Sequence, residues 1–177
     1  MKRLGILLLP LLALSLLLPA SAPADGAAAA AAKAPHPGFE RMKSLLGTWE
    51  MKGEDGKVTT LTYSVVSNGT AILETMDAAG EKAAMITVYH PDREALMMTH
   101  YCGADNQPRM RCAKPAKDAG SLAFEFVDAT NLAAPEAGHM HGLVITFVDA
   151  DHITQEWTWT GKGKSTPELF RFERKRS

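Results

Sequence analysis

After residue 47 the chain alternates apolar and polar positions with a period of two. Val58–Val66, Ala71–Met76, Ala84–His90, Ala95–Cys102, Leu122–Val127, Gly142–Val148, Ile153–Thr160 and Leu169–Arg174 are rich in Val, Ile, Thr and aromatic residues and end at turn formers, the pattern of half-buried strands. Trp49–Gly53 and a short run at Arg109–Ala113 bring the set to about ten. Ahead of them, Phe39–Leu46 is a short amphipathic lead with helical character. Asn68-Gly69 and Asp55-Gly56 are type I′ hairpin signals, and Pro91-Asp92, Asp149-Ala150-Asp151 and Gly161-Lys162-Gly163 suit tight connections. Consecutive hairpins make a meander, and closing a meander removes its exposed edges. The prediction is an all-β fold: an up-and-down antiparallel β-barrel of about ten strands with a short N-terminal helical plug. A barrel of this size encloses either packed side chains or one small ligand.

The same alternation assigns faces. Leu143, Ile145 and Phe147 share a face with His139 and His141 if that strand extends backward. Ile153, Trp157 and Trp159 share another, with Gln155 as its one polar member, and Phe170, Phe172 and Arg174 share the apolar face of the last strand.

Gly47-Thr48-Trp49, directly after the amphipathic lead, resembles the opening of a calycin barrel. In lipocalins, fatty-acid-binding proteins and nitrobindin-like haem barrels a short helix plugs one end, a Gly-x-Trp opens the first strand, and a basic residue of the last strand covers the indole. Gly47 permits the tight turn and Trp49 closes the floor with one large ring. The resemblance makes Arg174 the candidate cover, with an exposed C-terminal arginine as the alternative. His100-Tyr101-Cys102 followed by Asn106-Gln107-Pro108-Arg109-Met110, together with His139-Met140-His141 and Gln155-Glu156-Trp157, is also similar to bacterial exported proteins grouped with the calycins, over nearly all of Phe39 to Arg174. That likeness implies a fold and no established activity.

Lys2 and Arg3, the leucine-rich run Leu4–Leu18 and the small residues of Ala22-Pro23-Ala24 form an export signal spanning residues 1–24, with cleavage after Ala24. A retained membrane anchor is the competing reading, but the run is short for a span of about 20 residues, and Pro10 and Pro19 bracket much of it. Residues 25–37 are mostly alanine with proline and glycine, a composition expected of a disordered spacer. Residues 38–177 then form one barrel domain. The expected location is periplasmic or secreted, with no membrane association after signal removal.

Without the signal, 17 basic residues face 20 acidic ones, a net charge near −3. Such a chain gains no general electrostatic attraction to nucleic acid or anionic lipid. The cationic tail Arg171–Arg176 reads as a solvated strand end.

Two constellations carry chemistry. His100 with Cys102, and His139 with His141, are i, i+2 pairs, so each pair points one way along a strand and the two could meet in one pocket. That donor set suits zinc or copper, and a single histidine could hold haem iron. No spacing here is a recognised metal motif, and paired histidines on strands are commonly hydrogen-bonded structural residues. In an exported protein two cysteines are most simply a disulfide; Cys102 and Cys112 are symmetric about Gln107, so a hairpin turning there would bring them together. The intervening loop offers Asn106, Gln107 and the planar fork of Arg109.

No Gly-x-Ser-x-Gly elbow, Walker loop, dinucleotide fingerprint or His-Glu-x-x-His is present, so an enzyme is the less favoured class. The expectation is an exported barrel binding a small, largely apolar molecule. Leu96, Met98, Ile145, Phe147, Trp157 and Phe172 would line the cavity, and His100, Arg109, His139, His141 and Gln155 would orient a polar end. No cofactor is predicted under this reading. A metal or haem protein using His100, His139 or His141 is the first alternative, and a filled barrel acting through its surface is the second.

Overall fold

The two-residue alternation folds as ten antiparallel strands: β1 (Gly47–Lys52), β2 (Val58–Val66), β3 (Ala71–Asp77), β4 (Met85–Asp92), β5 (Ala95–Tyr101), β6 (Gln107–Cys112), β7 (Ser121–Thr130), β8 (His139–Phe147), β9 (His152–Gly161) and β10 (Lys164–Arg174). They pair in chain order, and β10 returns to β1 to close the barrel. The computed structural model describes residues 35–176. The expected signal at 1–24 and most of the spacer lie outside the described residues.

Turn chemistry sets the hairpins. Asn68 and Gly69 have φ of 53° and 86°, and the Thr70 amide donates to the Ser67 carbonyl at 3.2 Å, a type I′ turn whose twist matches the strands. Lys162 and Gly163, with φ of 51° and 72°, do the same between β9 and β10. At the β8–β9 corner the Asp149 carboxylate accepts from the amides of Asp151 and His152, both at 2.8 Å, so this acidic turn is hairpin chemistry.

Helix α1 (Pro37–Lys43) seals one end. His36 caps it, its Nδ1 accepting from the Phe39 amide at 3.2 Å, and Pro37 occupies the first turn, where no N–H is needed. The folded domain therefore includes His36 and Pro37, two residues ahead of the boundary expected at Gly38. Phe39 and Met42, with Leu45 just beyond the helix, are buried against the barrel floor. Trp49 is 1 % exposed and donates its indole N–H to the Leu45 carbonyl at 2.8 Å. Arg174 lies directly opposite in register, its guanidinium 4.0 Å from the indole centroid. It donates to the carbonyls of Leu46 at 2.9 Å, Ser44 at 2.8 Å and Ala150 at 3.1 Å. Gly47 has φ of 117°, a conformation closed to L side chains, which is how the chain turns from plug into strand.

Closure is narrow. β1 and β10 pair only through Trp49 with Arg174 and Glu50 with Glu173. Beyond them the Lys164–Arg171 stretch of β10 pairs with β9 alone, and Pro167, Lys164, Glu168 and Arg171 blunt that edge against pairing with other chains.

The cysteine expectation is corrected by register. The β5–β6 hairpin turns at residues 102–106, where the Cys102 amide donates to the Asn106 carbonyl at 3.1 Å, and not about Gln107. Cys112 therefore faces Leu96, six residues before Cys102, on the order of 20 Å along the strand and far outside disulfide reach. Both are free thiols.

Two outcomes test this architecture. Trp49→Ala should lower stability by about 3 to 5 kcal/mol in urea melts, because the floor cannot collapse onto the vacated volume; an unchanged midpoint would remove Trp49 from the floor. Thiol titration of unreduced protein in denaturant should find both cysteines reactive, and a disulfide-linked peptide in its digest would contradict the register.

Candidate binding site at the open end of the barrel

Strands alternate in direction, so the end opposite α1 is built by the loops 53–57, 78–84, 102–106, 131–138 and 162–163. The half nearer the helix is filled: Ile72, Leu96, Met98, Met110 and Ile145 are 0 % exposed.

Across the middle runs a polar layer that the sequence reading missed. Glu74, 1 % exposed on the inner face of β3, accepts from the Tyr89 hydroxyl at 2.8 Å and from Gln155 Nε2 at 2.9 Å. Gln155 Nε2 also donates to the Tyr63 hydroxyl at 2.7 Å, and its Oε1 accepts from the Trp157 indole at 2.8 Å. Burial pushes the Glu74 carboxyl above its ordinary range, while hydrogen bonds from Tyr63, Tyr89, Gln155 and Thr87 pull it back. Burial first, and the Glu74 charge second, hold both tyrosines well above 10, so they remain donors.

His100 sits on the outer side of this layer. It is 4 % exposed, its ring lies 4.6 Å from the Trp157 ring, and its Nδ1 is 2.9 Å from the Thr87 hydroxyl. Burial lowers its pKa to about 4, so it is neutral at pH 7. Which of the two atoms donates is set by the imidazole tautomer. His100 Nε2 is buried and has no partner within the protein.

At the rim, β8 carries a bulge: His139 faces Thr160, Met140 faces Trp159 and Gly142 faces Thr158, leaving His141 as the extra residue. The bulge brings both imidazoles onto Phe126, at centroid distances of 4.7 and 4.5 Å. His139 Nδ1 donates to the Ala137 carbonyl at 2.8 Å, so in the neutral pair its Nε2, 3.0 Å from His141 Nδ1, accepts. Burial, then the neighbouring His139, lower the His141 pKa.

A strap, residues 131–138, covers part of this end. Asn106 is 3 % exposed and donates from Nδ2 to the carbonyls of Gly138 at 2.9 Å and Ala104 at 3.3 Å. Two carbonyl partners fix the amide orientation, and Oδ1 is left buried without a partner. Asn131 donates to the Asp105 carbonyl. Gly138 rests on the Trp159 ring, where a Cβ would approach to 2.2 Å.

The expected site residues divide by height in the barrel. His100, Trp157, His139 and His141 gather at the open end. Met98 and Gln155 are wholly buried, the first in the core and the second bound into the polar layer. Phe147 lies at the opposite end under the Arg41 guanidinium, 3.7 Å from its ring centroid, in a groove of about 460 Å³ beside Trp49 and Arg174. Arg109 points outward and is held bidentately by Asp128 across β6 and β7, so it orients nothing inside. Among the described residues no three His, Cys, Asp or Glu side chains converge as a metal cluster, so His100 with Cys102 does not join His139 with His141. Burial raises both thiols, which favours the protonated form that metals bind poorly.

No protein-family model matches this chain, and no curated protein matches it. What the fold and the site define is a closed ten-stranded antiparallel barrel, sealed and filled at its helical end and aromatic and histidine-rich at the other.

The His100 geometry sets a pH dependence. The unfolded imidazole takes up a proton near pH 6.5 and the folded one only near 4, so the stability present at neutral pH is lost as pH falls through that window, by roughly 3 kcal/mol in all. Glu74, with its raised pKa, acts in the opposite sense, because the folded state keeps its proton to higher pH. The diagnostic quantity is therefore the stability of wild type minus that of His100→Gln, measured by urea melts from pH 7 to 4. It should fall on acidification, and a flat difference would mean that His100 titrates normally.

Proposed function

We propose that the protein is an exported, calycin-like barrel that binds one small, largely apolar molecule at its open end. The ligand's polar head meets His100 Nε2 and its body packs on Trp157, Trp159 and Phe126. The observation that carries this reading is the unpartnered, buried His100 Nε2. A buried polar atom without a partner is destabilising by about 1 to 3 kcal/mol, and a ligand group that hydrogen-bonds to it removes that penalty on binding. Every other group of the polar layer has a partner within the protein. Access comes through the strap at 131–138, which is tied down by a few polar contacts and by Gly138 on Trp159. Export rests on the sequence of residues 1–24.

Native mass spectrometry of protein purified from the periplasm, with metal analysis and an absorbance scan, tests the reading. The expected result is an organic adduct that solvent extracts, that rebinds to wild type, and that rebinds to His100→Ala more weakly by about 0.5 to 3 kcal/mol with the β-rich circular dichroism intact. One tightly held zinc or copper per chain, lost in that variant, or a haem absorbance band would establish the metal reading instead. Protein that carries nothing and rebinds nothing would leave a filled barrel acting through its surface.

A further inference from the structure

We propose that the groove at the helical end is a second binding site, for a small molecule that joins one carboxylate to a compact apolar body, with Arg41 as the residue that takes the carboxylate. The proposal is independent of the open-end reading, because the two sites lie at opposite ends of the barrel.

The groove, of about 460 Å³, lies between α1, β1 and the β8–β9 corner, a volume typical of small-molecule clefts. The charged side chains that line it are two cations, Arg41 and Arg174, and one anion, Asp149, so one positive charge is in surplus. That surplus falls on Arg41. All three nitrogens of the Arg174 guanidinium donate to backbone carbonyls, and Asp151 stands 3.8 Å from its Nε. Asp149 turns its carboxylate into its own corner, onto the amides of Asp151 and His152 and onto His152 Nδ1. Among the described residues Arg41 makes one side-chain hydrogen bond, from Nε to the Ala119 carbonyl at 3.0 Å, and has no acidic partner. Its two terminal nitrogens, the edge of the fork that suits a carboxylate, are unused within the protein.

Arg41 is also held in place. Unlike the exposed Arg93, Arg111 and Arg171, it is half-buried, fixed on one side by the Ala119 carbonyl and stacked 3.7 Å over the Phe147 ring centroid. A guanidinium whose plane is already set loses little further freedom when a carboxylate docks on it. The apolar body has its own contact: Val148, 59 % exposed, is the most exposed of the large apolar side chains among the described residues, and it lines the groove beside Phe147. A ligand spanning Arg41 and Val148 pairs the charge and removes that apolar surface from water in one step. Asp149 on the opposite wall selects a monoanion, since a phosphate dianion would meet its charge twice over.

Calorimetric titration of the purified protein at low salt, with phenylacetate, phenylacetamide and inorganic phosphate as probes, tests this site. Phenylacetate should bind once per chain and about tenfold or more tighter than the amide, which keeps the shape without the charge, or phosphate, which keeps charge without the body. In Arg41→Gln, phenylacetate should fall to the level of the amide. In wild type, NMR should show phenylacetate shifting the Arg41 Nε–H and the Trp49 indole N–H while the Trp157 indole stays in place, a readout that stands even where the variant fails to fold. Equal binding of phenylacetate and phenylacetamide, phosphate binding as tight as phenylacetate, unchanged affinity in a folded Arg41→Gln, shifts confined to Trp157, or no saturable binding would each overturn the proposal.

Discussion

Everything in this barrel depends on one cation resting on one indole. The closing seam contributes only two residue pairs, too few to hold β1 against β10 by ladder bonds alone. Arg174 compensates by joining four pieces at once: it is the register partner of Trp49, covers its ring, ties the carbonyls of Ser44 and Leu46 behind the helix, and reaches Ala150 in the β8–β9 corner. Those carbonyls belong to the turn between the helix and β1, outside any helix or strand. A planar, permanently charged fork can satisfy several of them while stacking on an aromatic face, and a lysine could not. Plug, floor and seam are therefore one interaction.

With the helical end fixed in this way, the polar layer of Glu74, Tyr63, Tyr89 and Gln155 can exist without loosening the core. A buried carboxyl is costly unless its lone pairs are filled, and here hydroxyls and an amide converge on Glu74 of β3 from three other strands, β2, β4 and β9. Such a network is sensitive to spacing, because each donor must arrive within hydrogen-bond distance across the barrel. The packed apolar floor supplies that rigidity. The layer in turn divides the barrel into a filled lower half and an upper half whose histidines and aromatics are incompletely used.

Much of this was legible in the chain. Strand positions were, because one face of each strand is buried and alternation reports burial. β10 began five residues earlier than its apolar run because Lys164–Glu168 is exposed on both faces and so leaves no period-two signal. The cysteine pairing failed because symmetry about Gln107 presumes a two-sided hairpin centred there, while the hydrogen bond from Cys102 to Asn106 centres the turn two to three residues earlier. Arg109 misled because an arginine in a polar loop looks like a ligand fork, and only strand parity shows that it faces outward. Glu74 was within reach. It is a lone acid between Ile72 and Met76 on an inward face, and Tyr63, Thr87 and Tyr89 occupy inward positions on neighbouring strands. What no single strand reveals is that these groups lie at one height, since that depends on the register between strands.

For the proposed ligand the layer also sets when the site can work. Because burial holds its protonation down to about pH 4, the His100 imidazole stays neutral through acidification that would charge an ordinary surface histidine. The rim pair behaves differently. His141 is exposed, and protonating it puts a charge beside His139 at the strap, not in the binding layer. His100 beside the polar layer and His141 at the rim therefore occupy two distinct environments at one end of the barrel.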